Sequence, residues 1–301
     1  MFSVTTNWIS RSVPSGEDIV KAVHAVGLDT VELGYSLTHG QAEDIIKAAQ
    51  AGRIKISSLH AFCPAEPFAT SPEAYTLCDT WASPRKRAVA ALERTAHFTA
   101  KAGARIVVVH GGHMAAVRRV MATLTELAES GKRHTEKYAR QMDKVLTRRE
   151  RKSPKYFDAL VNSLDDVMPT FERLGLVLAI ENMPTVYAMP IETEMLQLFE
   201  RYPQKVFGYW HDLGHADIRE RHGFIHHESL LKRFVPRLVG AHIHSSDGYA
   251  DQHTLPPNRS LKYEKFKFLA GLGIPLVLEP VSSSTPDDVR NAIAFLRETW
   301  T

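Results

Sequence analysis

Eight short apolar runs recur along these 301 residues, each followed by a segment of helical periodicity: FSVTT, TVELGY, IKISSLH, RIVVVH, LVLAIE, KVFGYW, LVGAHIH and IPLVLE. Strands that alternate strictly with helices lie parallel, because each helix carries the chain back to the end where the previous strand began. The helices carry their own punctuation. Ser15 precedes EDIVKAVHAV and Gly27 follows it, Gly52 closes the second helix, Ser83-Pro84 opens a long one that ends at Gly103, and Thr285-Pro286 opens the last. Eight such units predict an α/β fold, the closed (β/α)8 TIM barrel, whose catalytic groups lie on the loops after the strands. An open doubly wound sheet is the alternative, but no G-x-G-x-x-G follows the first strand.

One barrel of roughly 250 residues plus insertions accounts for the chain as a single domain over residues 1–301. A net charge of +3, with 44% hydrophobic and 24% charged residues, describes an ordinary globule and makes nucleic acid an unlikely partner. Two cysteines, Cys63 and Cys78, are too few for a disulfide framework and point to a reducing cytoplasm. No basic start precedes an apolar core at the N-terminus and no run nears 18 apolar residues, so neither secretion nor membrane insertion is expected.

Two segments break the regular spacing. Residues 61–83 form a long loop carrying Phe62, Phe68, Tyr75 and Trp81, read either as a lid whose Phe62 and Trp81 touch substrate or as an insertion packing its own aromatics. A basic helical insertion at about 114–165 contains KRHTEKYARQMDKVLTRRERKSPKYF. Glu136, Asp143 and Glu150 interrupt its charge, so a solvated hairpin or a homo-oligomer contact is expected rather than a phosphate grip.

The chemistry lies at the strand ends. A strand buried on both faces is not expected to hold a charge midway, so an ionisable residue closing an apolar run marks where the chain can enter a shared cleft. Nine candidate metal ligands stand there: His60, His110, Glu181, Asp212 with His215, His244 with Asp251 and His253, and Glu279. Glu181 and Glu279 end the fifth and eighth runs, where an unpaired carboxylate is costly and calls for a metal or a base. Asp212 and His215 form a D-x-x-H step in which Gly214 lets the backbone bend, and the adjacent His211 points the other way. His242 and His244 share a face; His244, nearer the mouth, is the better ligand, with His242 hydrogen-bonding beneath it. Imidazoles around carboxylates suit zinc or manganese.

The series H60, H110-G-G, E181-N, D212-L-G-H215-A, H244-S-S-D247-G, D251-Q-H253 and E279-P resembles the xylose isomerase-like TIM barrels of the AP endonuclease family 2 superfamily, in particular its sugar phosphate isomerase/epimerase-like branch, across nearly the whole chain. In the epimerase-like branch one Mn²⁺, Mg²⁺ or Co²⁺ is held by a Glu, an Asp, a His and a second Glu, which match Glu181, Asp212, His244 and Glu279. In endonuclease IV all nine positions bind three Zn²⁺ ions, and this chain has a candidate for each. It departs from endonuclease IV in reading DQHTLPPNRS, with Asn258 and Ser260 where glycines would fall, and in lacking a His in the first run. No short loop pairs an arginine with an aromatic that could wedge into a duplex.

The four ligand carboxylates supply about −4, so one divalent ion leaves a site near −2 suited to a neutral polyol, and three leave one near +2 suited to a phosphodiester. The resemblance implies a metal-dependent isomerase or epimerase of a small sugar or keto-polyol. Glu181 and Glu279 are its expected acid and base, His215 a second proton shuttle, and His60, His110, His215, Asp251 and His253 further metal or substrate ligands. A dehydratase shares the same first proton transfer. The alternatives are a zinc-dependent phosphodiesterase of the endonuclease IV type and a non-catalytic carbohydrate-binding barrel.

Overall fold

The computed structural model describes residues 1–65, 71, 73–258 and 260–300. Eight parallel strands close a barrel in sequence order: β1 (Phe2–Thr5), β2 (Thr30–Leu33), β3 (Lys55–His60), β4 (Ile106–Val109), β5 (Val177–Glu181), β6 (Phe207–Asp212), β7 (Leu238–Ile243) and β8 (Leu276–Leu278). β8 pairs back onto β1 through Phe2 and Leu276, Ser3 and Val277, and Val4 and Leu278. All eight apolar runs read from the sequence are strands. Register decides which of their ends meet: Glu181 lies beside Trp210, and Asp212 beside His242.

Around the barrel run α1 (Gly16–Ala25), α2 (His39–Gln50), α3 (Ala82–Lys101), α4 (Ala115–Glu129), α5 (Glu136–Leu174), α6 (Glu192–Arg201), α7 (Leu213–His222), α8 (His227–Phe234) and α9 (Pro286–Trp300), with a 3-10 segment over Tyr263–Leu272. The caps account for several starts. The Ser15 and Thr38 hydroxyls accept from the Asp18 and Gln41 amides, each at 3.2 Å, and Gln41 returns a bond to the Thr38 amide at 3.1 Å. The long third helix begins at Ala82, one residue before the expected Ser83, and Trp81 at its cap makes no side-chain capping bond.

The basic insertion is not a separate module. α5 continues unbroken to Leu174, so its second half is the crossover helix onto β5, and only α4 and the first half of α5 are extra. Arg149 ties this hairpin to the loop after β5, donating to Val186 O at 2.8 Å and to the buried Glu194 at 2.7 and 2.9 Å. Inside the barrel Val108, Ala179, Trp210 and Val277 form a closed apolar plug. Gly240 is required there, because a methyl group would overlap the Trp210 ring. No helix among the described residues is long and apolar enough to cross a membrane.

Candidate metal centre

The strand ends converge at the mouth above that plug. Glu181, the last residue of β5, is 1% exposed, and its four ion-pair contacts among the described residues are imidazoles: His110 Nε2 at 3.2 Å, His60 Nε2 at 3.3 Å, His242 Nδ1 at 3.2 Å and His215 Nδ1 at 3.4 Å. Asp212, fully buried at the end of β6, accepts from the His215 amide at 2.7 Å as the cap of α7 and lies 2.8 Å from His244 Nε2. Glu279 Oε2, just past β8, is 3.9 Å from His244 Nε2 and 3.6 Å from His253 Nδ1. Asp251 joins His215 at 3.0 Å to His253 at 3.2 Å.

All nine sequence candidates therefore stand in one cluster. Their ligand atoms fall into groups within 4.8 Å of one another, among them His60 with His110 and Glu181, Asp212 with His244 and Glu279, and His215 and His244 with Asp251 and His253. Carboxylate and imidazole donors converging from different strands fit a hard or borderline divalent cation. His253 adopts φ 48°, the left-handed region, and stacks on His244 with ring centroids 4.0 Å apart. A β-carbon in that conformation costs of order 1 kcal/mol, held here by the ring stack and two carboxylates.

His242 and His244 divide the work as their depths dictate. His242 is committed at both nitrogens, to Glu181 at 3.2 Å and to Glu32 at 3.1 Å, while His244 faces Asp212 and Glu279. Glu32 corrects the expectation that a doubly buried strand carries no charge midway. It sits within β2 at 0% exposure, held by His242 and by the Ser58 hydroxyl at 2.7 Å. The TVELGY run contained that signal, since a lone carboxylate in an apolar strand requires a buried partner.

Two aromatics of the loop at 61–83 are corrected as well. Phe62 is buried in the core with its ring 5.3 Å from Tyr75, and Trp81 is 77% exposed at the start of α3. Neither lines the cavity over the cluster, and Phe68 lies outside the described residues. That cavity, of about 340 Å³, is walled instead by Tyr35, Ser71, Glu73, Met183 and Pro184 together with seven of the nine candidates, Asp212 and His244 lying beneath it. His211 turns away from the cluster, toward Tyr209 and His227.

On Glu181, Asp212, His215 and His253 burial opposes charge, and the neighbours override it. His242 and His110 hold the Glu181 carboxyl well below its usual range, and His215 and His244 lower that of Asp212. Burial lowers His215, but Asp212 and Asp251 raise it well above 6.5; burial likewise lowers His253, which Asp251 and Glu279 bring up to about 9. In the metal-free fold the His253 ion pairs stabilise fully below pH 6.5 and are lost as pH climbs through about 9. The metal-free melting temperature should therefore fall between those values. A divalent ion needs neutral imidazoles, so its affinity should rise across the same window and oppose that fall. Melts with chelator and with Co²⁺ at pH 6.5 and 9 check this, and parallel curves would count against metal binding by these imidazoles.

The sequence pattern of the xylose isomerase-like TIM barrel family matches residues 20–299. The crystal structure of a D-tagatose 3-epimerase-like protein aligns at TM-score 0.69 and 16% identity, covering 99% of this chain and 96% of the other. That of D-psicose 3-epimerase in the presence of D-fructose aligns at TM-score 0.69 and 15% identity, covering 99% of each chain. Identities this low show the shared fold. An uncharacterized protein, y4fM, of Sinorhizobium fredii (strain NBRC 101917 / NGR234) is 30% identical over 108 residues, 36% of this chain; the match spans 33% of that relative's length.

Proposed function

Because the chain belongs to the xylose isomerase-like TIM barrel family, we propose that it is a divalent-metal-dependent isomerase or epimerase of a small ketose or keto-polyol. The observation that carries this reading is the shape of the mouth: one cavity of about 340 Å³ onto which Glu181, Glu279 and His215 all open, a size that suits a single sugar ring or chain. The residues that would hold the ion are Glu181, Asp212, His244 and Glu279. When bound, it supplies Lewis-acid stabilisation of the negative charge that develops on the substrate as a proton leaves carbon.

The chain supplies the rest. Glu181 and Glu279 reach the cavity from β5 and β8, and the His242 Nδ1 atom between them lies 3.2 and 3.6 Å from their carboxylates. One removes the proton next to the carbonyl and the other returns a proton from the opposite face. His215, bound to Asp251 at 3.0 Å, carries a proton to or from a substrate hydroxyl. Tyr35, whose phenol is raised by burial and by the Glu279 charge, stays protonated and donates to a substrate oxygen. Met183 and Pro184 add apolar surface to the cavity wall and exclude water there.

The test is solvent exchange. Chain reconstituted with Mn²⁺ or Co²⁺ and offered free and phosphorylated pentuloses and hexuloses in D₂O should place deuterium on the carbon beside the carbonyl of at least one, with chelation abolishing it. No exchange across that panel with one ion bound per chain would reject the reading.

A second reading, a zinc-dependent phosphodiesterase of the endonuclease IV type, draws on the separation of the nine ligands into neighbouring groups. It requires about three zinc ions per chain and cleavage of a phosphodiester such as bis(p-nitrophenyl) phosphate. The exchange assay is silent in that case, so one metal analysis and two assays separate the readings.

A further inference from the structure

Behind the mouth lies a row of buried polar groups that the chemistry above does not use. Asn182, next to Glu181, accepts at Oδ1 from the Asp212 amide at 2.8 Å and donates from Nδ2 to the Asp212 carbonyl at 3.0 Å. Its own carbonyl lies 2.8 Å from His215 Nδ1. One asparagine thus grips the backbone of Asp212 and the ring of His215. A second group holds the asparagine, since the Tyr209 hydroxyl donates to Oδ1 at 2.9 Å. Tyr209 lies 2.7 Å from His211 Nδ1, and His211 Nε2 lies 2.9 Å from His227 Nε2.

The bond directions follow from the first link. An atom that accepts from a backbone amide is oxygen, so the only proton of Tyr209 points at Asn182. The Tyr209 oxygen must then accept, and His211 donates from Nδ1. A neutral His211 accepts at Nε2, and His227 donates to it from Nε2. Both rings are buried, His211 at 0% and His227 at 1% exposure. His227 is anchored in turn by its amide, which donates to Glu220 Oε1 at 2.8 Å, and by Phe266, whose ring is 4.5 Å away.

We infer that Tyr209, His211 and His227 are positioning residues, a hydrogen-bonded chain that fixes Asn182 and through it sets Asp212 for the ion and His215 beside it. The inference rests on the reading of Asp212 as a metal ligand. Neighbours of this kind raise metal affinity by orienting the ligands, typically by about 10- to 100-fold.

The test uses Co²⁺ as probe, with its dissociation constant, its visible absorption band and the metal-free melting temperature as readouts. Tyr209→Phe keeps the ring against Phe234 and removes only the hydroxyl; the dissociation constant should rise about 10- to 100-fold and the band should shift. His211→Leu should match it, and His211→Asn, which restores a donor at the Nδ1 position, should recover most of the loss. Variants that melt lower yet bind Co²⁺ with wild-type affinity and spectrum overturn the inference and leave the metal reading standing. Wild-type chain that takes up no Co²⁺ overturns both.

Discussion

Glu181→Gln should lower turnover by about 10³-fold or more, since loss of a single acid or base typically accounts for about 10² to 10⁴ and here the same change also removes a charge from the ion's shell. The structure makes this residue the centre of the site. Its two oxygens face His110 and His60 on one side and His242 and His215 on the other. An amide places an NH₂ group against two of those imidazoles and removes the negative charge that all four face. Breaking a buried ionic cluster from one side costs about 3 to 5 kcal/mol, so the metal-free variant should also melt several degrees lower. Glu279→Gln has fewer buried partners and should lose turnover with less loss of stability. Initial rates with the exchanging substrate, together with melts of metal-free protein, decide the matter. Activity within a few-fold of wild type in either variant would remove the acid and base assignment.

Gly214→Ala should weaken binding of the proposed ion although residue 214 supplies no ligand atom. By propensity alone the change favours helix α7 by up to about 1 kcal/mol. The structure reverses that expectation, because a methyl group on residue 214 would overlap the His244 ring. The ring must move away from Asp212, to which it is bound at 2.8 Å, or the start of α7 must shift with the Asp212 cap. Overpacking of this sort costs about 1 to 3 kcal/mol, and a displaced ligand imidazole should weaken metal binding by about 100-fold or more. Metal content after gel filtration and the dissociation constant for Co²⁺ measure it. Retention of a full complement with wild-type affinity would show that His244 is not held where the ion sits.

Gly214 also marks how far the residues alone could be read. D-L-G-H suggested a glycine that lets the chain bend, whereas its role is to leave room for a ring thirty residues away in sequence. The nine candidate ligands were legible as a group because each closes or follows an apolar run, a local pattern. Glu32 was missed because its justification is not local: Ser58 comes from the next strand, and His242 from across the barrel. Phe62 and Trp81 were misplaced for the same reason. An aromatic in a long loop can face a cavity, the core or solvent, and composition does not distinguish them; the core took Phe62 and solvent took Trp81.

By itself the sequence determined the barrel and the chemical types around its mouth, because strand and helix periods are short-range and eight alternations leave little topological freedom. Register, which strand ends meet and which nitrogen of each imidazole faces which carboxylate were decided only by tertiary structure. Those choices depend on barrel closure and on the pairing of buried charges between strands far apart in the chain, as when His242 spans Glu181 and Glu32.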